Sequence, residues 1–206
     1  AGGTPPLELW QLVGPMFQLA AQRSGALDGD EATRAAHAAV QNRAALLTLA
    51  LYVNGQPLTR LVPAARDWPQ PPLRLVLGTG REDRPQHLLV AAVLAAEGGG
   101  RLADALGILK EVSDRSATGS GFSFDDLATD HAGKRLGQRA VRDPFVLQQR
   151  LAAVKADADL LPVTEGLPSF LDDATFRTAI GSEGSPRYRA LMADIEARVA
   201  AVRVLR

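Results

Sequence analysis

Residues 123–141 read SFDDLATDHAGKRLGQRAV, and this stretch favours a long helix with one distinctive face. Asp126 and Asp130 are four residues apart, and Gly133 and Gly137 continue the same stripe, because residues three or four apart share one face of an α-helix. Glycines in such a stripe allow the backbone of a second helix to approach closely. The stretch therefore predicts a helix that packs tightly against a neighbour.

The rest of the chain shows the same helical periodicity between short irregular segments. Ser123 with Asp126 resembles a capping box and predicts where the long helix begins, and Asp30 is expected to cap another helix. Pro15 predicts a kink or break near Gly14. Further helices are expected over about 5–23, 30–53, 85–96, 102–113, 144–156, 173–180 and 186–202.

One short segment, residues 73–77, is the only plausible strand. We therefore predict an all-α or nearly all-α fold: a multi-helix, single-domain bundle over residues 1–206 with at most one short strand or hairpin. Its N-terminal helices lie within residues 5–53, the motif-bearing helices within about 83–141, and the C-terminal helices within 173–202.

Composition excludes several kinds of function. The 23 basic residues equal the 23 acidic ones in number, which argues against a nucleic-acid partner. There is no cysteine, so disulfides, thiolate metal sites and cysteine nucleophiles are excluded. The longest largely apolar runs, 44–53 and 88–96, fall short of the ~20 residues that span a bilayer. We expect no membrane span.

Most polar chemistry lies between residues 83 and 137. In the helix predicted over 102–113, four residues share one face: Asp104, Gly107, Glu111 and Asp114. Because both predicted helices carry a stripe of carboxylates and glycines, we expect them to face each other across a polar seam. His87 precedes them in the chain.

Three interpretations of this cluster remain open. In the first, the cluster is structural: Ser123 and Asp126 cap their helix, and four cations neutralise the acids, namely Lys110, Arg115, Lys134 and Arg135. In the second, a divalent cation is the only cofactor, with ligands drawn from His87, Glu111, Asp114 and Asp130 and with Asp126 as a further candidate. In the third, acid–base catalysis uses Glu111, Asp126 and Asp130, while the binding residues are His87, Lys110, Asp114 and Ser123.

Three sequence blocks also resemble a known motif. They are Asp83-Arg84-Pro85-Gln86-His87, then Lys110-Glu111 with Asp114, then Ser123-x-x-Asp126-x-x-x-Asp130-x-x-Gly133. Their order and spacing are similar to those of VanZ-like proteins and YfiM-type lipoproteins, and residues 121–130 match the second group most closely. The resemblance covers about a quarter of the chain. It implies a bacterial, periplasmic or envelope-associated setting with a link to the cell wall.

The chain departs from VanZ-like proteins, which hold the motif in membrane-spanning helices, because Arg101, Asp104 and Lys110 interrupt the helices here. The sequence therefore predicts a soluble, exported bacterial helical protein whose His/carboxylate cluster organises the core. A metal- or carboxylate-dependent hydrolase acting on cell-wall material is the alternative. A second alternative is a protein-interaction module around Trp68 and residues 69–72.

Overall fold

A computed structural model of the chain describes residues 5–96 and 121–206. This part contains seven α-helices and one two-stranded sheet, which confirms the predicted mostly helical fold. The helices are α1 Leu9–Gly25, α2 Glu31–Val53, α3 Asp83–Ala96, α4 Phe124–Arg142, α5 Pro144–Ala152, α6 Asp173–Ala179 and α7 Pro186–Ala201. No helix within these residues is long and apolar enough to cross a membrane.

The most extensive helix pair is α3 with α4. A β-carbon at Gly133 would lie 2.9 Å from Ala91 Cβ, and one at Gly137 would lie 2.9 Å from the backbone nitrogen of Ala96. The two glycines thus bring the helices into backbone contact, as the sequence predicts. Because Gly133 meets the middle of α3 and Gly137 meets its end, the two helices run parallel.

This pairing corrects one expectation about the seam. The nearest atoms at both glycines belong to α3, whereas the sequence pattern assigned that contact to the helix predicted over 102–113. Residues 102–113 lie outside the described residues. The polar seam observed in the described part of the chain is formed by α3 and α4.

The helices share one hydrophobic core, to which α1, α2, α3, α4, α5 and α7 all contribute buried side chains. Helix α1 packs against α2 and α5, while α7 packs against α4. Asn42 on α2 is fully buried and donates hydrogen bonds to the carbonyls of Ala140 (3.0 Å) and Pro144 (3.1 Å), which fixes the turn from α4 into α5. This frame holds α3 and α4 in place.

The sheet is short. Strand β1, Leu7–Glu8, pairs in parallel with strand β2, Val76–Leu77, so the predicted strand over 73–77 is present but is limited to two residues. Asp157 reinforces the junction, because its two carboxylate oxygens accept hydrogen bonds from the amides of Trp10 (2.9 Å) and Thr79 (3.0 Å). The loop that leads into α3 is thereby tied to the start of α1.

Helix ends follow the sequence signals in part, since α1 begins at Leu9 and not near residue 5, and α5 ends at Ala152 and not near residue 156. Asp30 accepts a hydrogen bond from the amide of Thr33 and caps α2, as predicted. Of the kink or break predicted near Gly14, the break does not occur, because α1 continues through Pro15 with Val13 and Phe17 buried against the core. Packing on both sides of the proline outweighs the single hydrogen bond that it removes. The predicted cap at Ser123 also differs, and it is described with the site.

Candidate functional site

Arg81, in the loop before α3, connects three carboxylates. Its guanidinium donates hydrogen bonds to both oxygens of Asp83 and to Asp125 Oδ2 (2.6 Å), and it lies 3.8 Å from Asp126 Oδ1. The guanidinium also stands over the ring of Phe170 at 5.4 Å. These acids raise the pKa of Arg81 above its ordinary range, the hydrogen bond to Asp83 first, so this cation stays charged. Arg81 therefore joins the start of α3 to the start of α4.

Asp125 performs the capping role that the sequence assigned to its neighbours. Ser123 is the residue before the helix, but its side chain makes no capping bond and its hydroxyl donates to Asp125 Oδ1. The amide of Asp126 donates to the same oxygen at 2.9 Å. Burial tends to raise the pKa of Asp125, but the hydrogen bonds and Arg81 outweigh it, so the pKa is lowered.

The predicted Ser123–Asp126 capping box is therefore wrong. Asp125 is almost fully buried and takes the donors at the helix start, which leaves Asp126 free to turn its carboxylate towards α3. There it faces His87, whose Nε2 lies 3.9 Å from Asp126 Oδ2. The local cap thus determines where the functional carboxylate points.

His87 is held from its other side. Its Nδ1 lies 3.0 Å from Asp130 Oδ1, within hydrogen-bond distance, and its side chain is 29% exposed. The pKa of His87 is raised, first because of the hydrogen bond to Asp130 and then because of the charges of Asp130, Asp126 and Asp83, while burial opposes the shift. The imidazole consequently keeps a proton to higher pH than a free histidine.

The carboxylate of Asp126 is the less exposed partner, at 19%. Burial raises its pKa, the charges of Asp125 and Asp83 raise it further, and His87 lowers it. Two titratable groups with shifted pKa values thus lie side by side, which is an arrangement typical of acid–base sites. Their separation of 3.9 Å is too long for a direct hydrogen bond. One oxygen atom at about 2.8 Å from each could contact both.

A groove of about 550 Å³ opens beside His87 and Asp130, along α3 and α4. Its described walls include aliphatic side chains: Val90, Ala91, Leu94, Ala95 and Leu127. Asp83, His87 and Asp130 line one end, at the helix N-termini. Lys134 lies one helical turn beyond Asp130 on the same face. The volume is in the range of small-molecule sites.

A second histidine lines the same groove. The Nδ1 of His131 lies 2.6 Å from Glu196 Oε1 on α7, and Arg135 donates to the other oxygen of Glu196. The hydrogen bond with His131 and the charge of Arg135 lower the pKa of Glu196, although burial opposes them. This set fastens α4 to α7 and orients the His131 ring.

The structure brings four of the predicted site residues together. His87 and Asp126 face each other, and Asp130 contacts the other side of the His87 ring. The Ser123 hydroxyl donates to Asp125, the residue before Asp126. The remaining three, Lys110, Glu111 and Asp114, lie outside the described residues, as does Arg115. The neutralising role expected of Arg135 and Lys134 is wrong for Asp126 and Asp130. Arg135 pairs with Glu196, and no ion pair of Lys134 is found among the described residues.

Sequence reasoning missed three members of the site, Arg81, Asp83 and Asp125, as functional residues. Asp83 begins the first block of the resemblance and Asp125 lies inside the third, so position within the motif could have indicated them. Arg81 carries no local signal, because its partners on α4 are 44 and 45 residues away in the chain. Only the parallel packing of α3 and α4 brings them together.

The metal hypothesis stays a prediction. Within residues 5–96 and 121–206, no three histidine or carboxylate side chains form a group that could hold an ion. Two of the expected ligands, Glu111 and Asp114, fall outside these ranges. In the described part, Arg81 occupies the position among the acids that a cation would take.

Comparison with known proteins gives no relative. The chain matches no protein-family model, no curated protein and no solved structure.

Proposed function

We propose that the protein is an acyl hydrolase of the bacterial envelope in which His87 and Asp126 act as acid and base. The observation that supports this proposal is the position of the His87 ring: Asp130 lies 3.0 Å from Nδ1, and Nε2 faces Asp126 at 3.9 Å beside the groove. The envelope setting rests on the resemblance of the motif to VanZ-like and YfiM-type proteins. Export and a periplasmic location are part of the same proposal.

The short distance between His87 Nε2 and Asp126 Oδ2 favours a reaction in which both groups act at one tetrahedral carbon. In ester or amide hydrolysis the attacking water and the leaving group sit on the same carbon, so an acid and a base a few ångströms apart can serve both. In-line displacement and inverting glycoside hydrolysis need catalytic groups farther apart, at about 6.5–9.5 Å for the latter. The 3.9 Å gap between His87 Nε2 and Asp126 Oδ2 matches the first geometry.

Each group has a distinct step. Asp126 takes a proton from a water molecule as the water oxygen bonds to the carbonyl carbon. His87, whose pKa is raised first by the hydrogen bond to Asp130, donates a proton to the leaving oxygen or nitrogen as its bond to carbon breaks. Proton transfer from Asp126 back to His87 restores both groups. No proton is gained or lost by the pair over the cycle.

Two residues support these steps without touching the substrate. Asp130 fixes the ring orientation and keeps the proton on His87, and Arg81 holds Asp125 and Asp83 so that Asp126 stays beside the ring. Both are positioning residues. Cell-wall material with ester or amide linkages is the substrate source that the motif resemblance favours.

The test is hydrolysis of a panel of para-nitrophenyl esters with acyl chains of two to ten carbons, with para-nitrophenyl glycosides and purified peptidoglycan as further arms. We expect wild type to hydrolyse esters or peptidoglycan amides and His87→Gln and Asp126→Asn to lose turnover. His37→Gln is the matched control, because His37 lies on α2, does not line the groove and is within hydrogen-bond distance of Gln41 (3.2 Å). Turnover of glycosides alone, or undiminished turnover in either variant, would contradict the proposal.

A further inference from the structure

The charged side chains along the groove differ in whether an oppositely charged group contacts them. Asp83 is bound by both arms of Arg81, Asp130 is bound by His87, and Glu196 behind His131 is bound by Arg135. Each of these three described acids, two at the groove and one behind it, therefore has a basic partner. Lys134 is exposed, and no hydrogen bond or ion pair of its ammonium group is found within the part of the chain that the structure describes.

The apolar walls lie mainly on α3. Along the parallel helices, Gly133 packs beside Leu88 and Ala91, so Lys134 stands at the level of Ala91. Leu94 and Ala95 continue the wall one turn farther on, and Leu94 is 50% exposed although it lines a cavity. Among the described residues, Lys134 is thus a cation without an ion pair at mid-groove, next to an aliphatic channel.

From this placement we infer that the groove takes an amphipathic anion, with its aliphatic chain along Val90, Leu94 and Leu127 and its anionic head group at Lys134. The inference rests on the proposed function for its context, because it names a class of ligand for the same groove, and a fatty acid is a product of acyl-ester hydrolysis. A carboxylate or phosphate head satisfies the charge of Lys134, and the chain covers aliphatic surface that is otherwise exposed. The head group then lies about one helical turn from His87 and Asp130 and about two turns from Asp126.

The chemistry is shared by fatty acids and by alkyl phosphates, and the experiment separates them. Binding of decanoate and of decyl phosphate to the wild-type protein would be measured by isothermal titration calorimetry, with acetate, octyl glucoside and decyltrimethylammonium as comparison probes. We expect one or both decyl anions to bind, and acetate and the cation not to bind measurably. The stronger of the two anions identifies the head group.

Two pairs of variants make the test specific. Lys134→Gln should weaken binding of the anion about fivefold at low salt, the size expected for an exposed ion pair, and high salt should remove the difference. Lys155→Gln is the matched control, since Lys155 is also exposed but lies outside the groove. Leu94→Gln should weaken binding further, whereas Leu73→Gln, at a more exposed leucine outside the groove, should not.

Equal binding of the decyl cation, equal effects of Lys134→Gln and Lys155→Gln, or absence of binding by both anions would overturn the inference. The readout needs no turnover, so its failure is distinct from that of the proposed reaction. Anion binding without hydrolysis would remove the enzyme proposal and leave the binding site. Hydrolysis without anion binding would support the enzyme proposal and remove the proposed binding site.

Discussion

Replacing Gly137 by alanine tests the close approach of α3 and α4 on which the site depends. The added β-carbon would lie 2.9 Å from the carbonyl carbon of Ala92 and 2.9 Å from the backbone nitrogen of Ala96, so neither contact can be relieved by turning a side chain. Overpacking of this kind typically costs about 1–3 kcal/mol, and backbone contacts place it near the upper end. Alanine regains up to about 1 kcal/mol of helix propensity.

We therefore expect Gly137→Ala to lower the free energy of unfolding by about 2 kcal/mol, which corresponds to a fall in Tm of about 4–8 °C for a chain of this length. Gly25→Ala is the matched control, because Gly25 is also helical but no atom lies within 4 Å of the position that an added methyl group would take. It should leave stability unchanged or raise it by at most about 1 kcal/mol. Urea unfolding followed by circular dichroism measures both. Equal stability of the two variants would refute the tight seam.

The other predictions concern the pH dependence of stability, the substitution of Arg81 and the cap of α7. The folded-state pKa of His87 lies above its unfolded value, so its contribution to stability is complete below pH ~6.5 and is lost as pH rises through the folded pKa. The stability lost in His87→Gln should thus be larger at pH 6 than at pH 9, and a pH-independent loss would contradict this. Arg81→Gln leaves the buried carboxylate of Asp125 without its cation. It should cost about 2 kcal/mol in urea unfolding, less than a fully buried pair because Arg81 is 30% exposed, and an unchanged midpoint would oppose it. Ser185→Ala removes the cap of α7 and should cost about 1 kcal/mol, whereas Ser182→Ala, at an exposed residue without a capping bond, should cost almost nothing.

The sequence carried enough information for the fold class and for most helix positions. Local signals sufficed where a local interaction decides the structure, as at the cap formed by Asp30 and at the stripe of Gly133 and Gly137. They did not decide between a kink and a break at Pro15, because whether a helix breaks there depends on the packing of the flanking turns against the rest of the core. The sequence pattern also did not indicate α3 as a partner of the glycine stripe. Spacing within one helix gives its face and not its neighbour.

The site was predictable only in part for the same reason. His87, Asp126 and Asp130 are indicated by the order of the motif, and they do converge. Arg81 joins them through the parallel packing of α3 on α4, which no local pattern encodes. The exchange of roles between Asp125 and Asp126 was equally hidden, because both residues fit the first turn of a helix and only the buried hydrogen bonds separate them.

The pKa of His87 tests the central claim most directly, and long-range ¹H–¹⁵N NMR spectra recorded across pH measure it together with the tautomer of the ring. The account predicts a pKa above that of a free histidine in wild type, a clear fall in Asp130→Asn and a smaller fall in Asp126→Asn, because Asp130 supplies the hydrogen bond and Asp126 only charge. A value in wild type that matches free histidine, or one that neither substitution changes, would contradict the proposed acid–base pair.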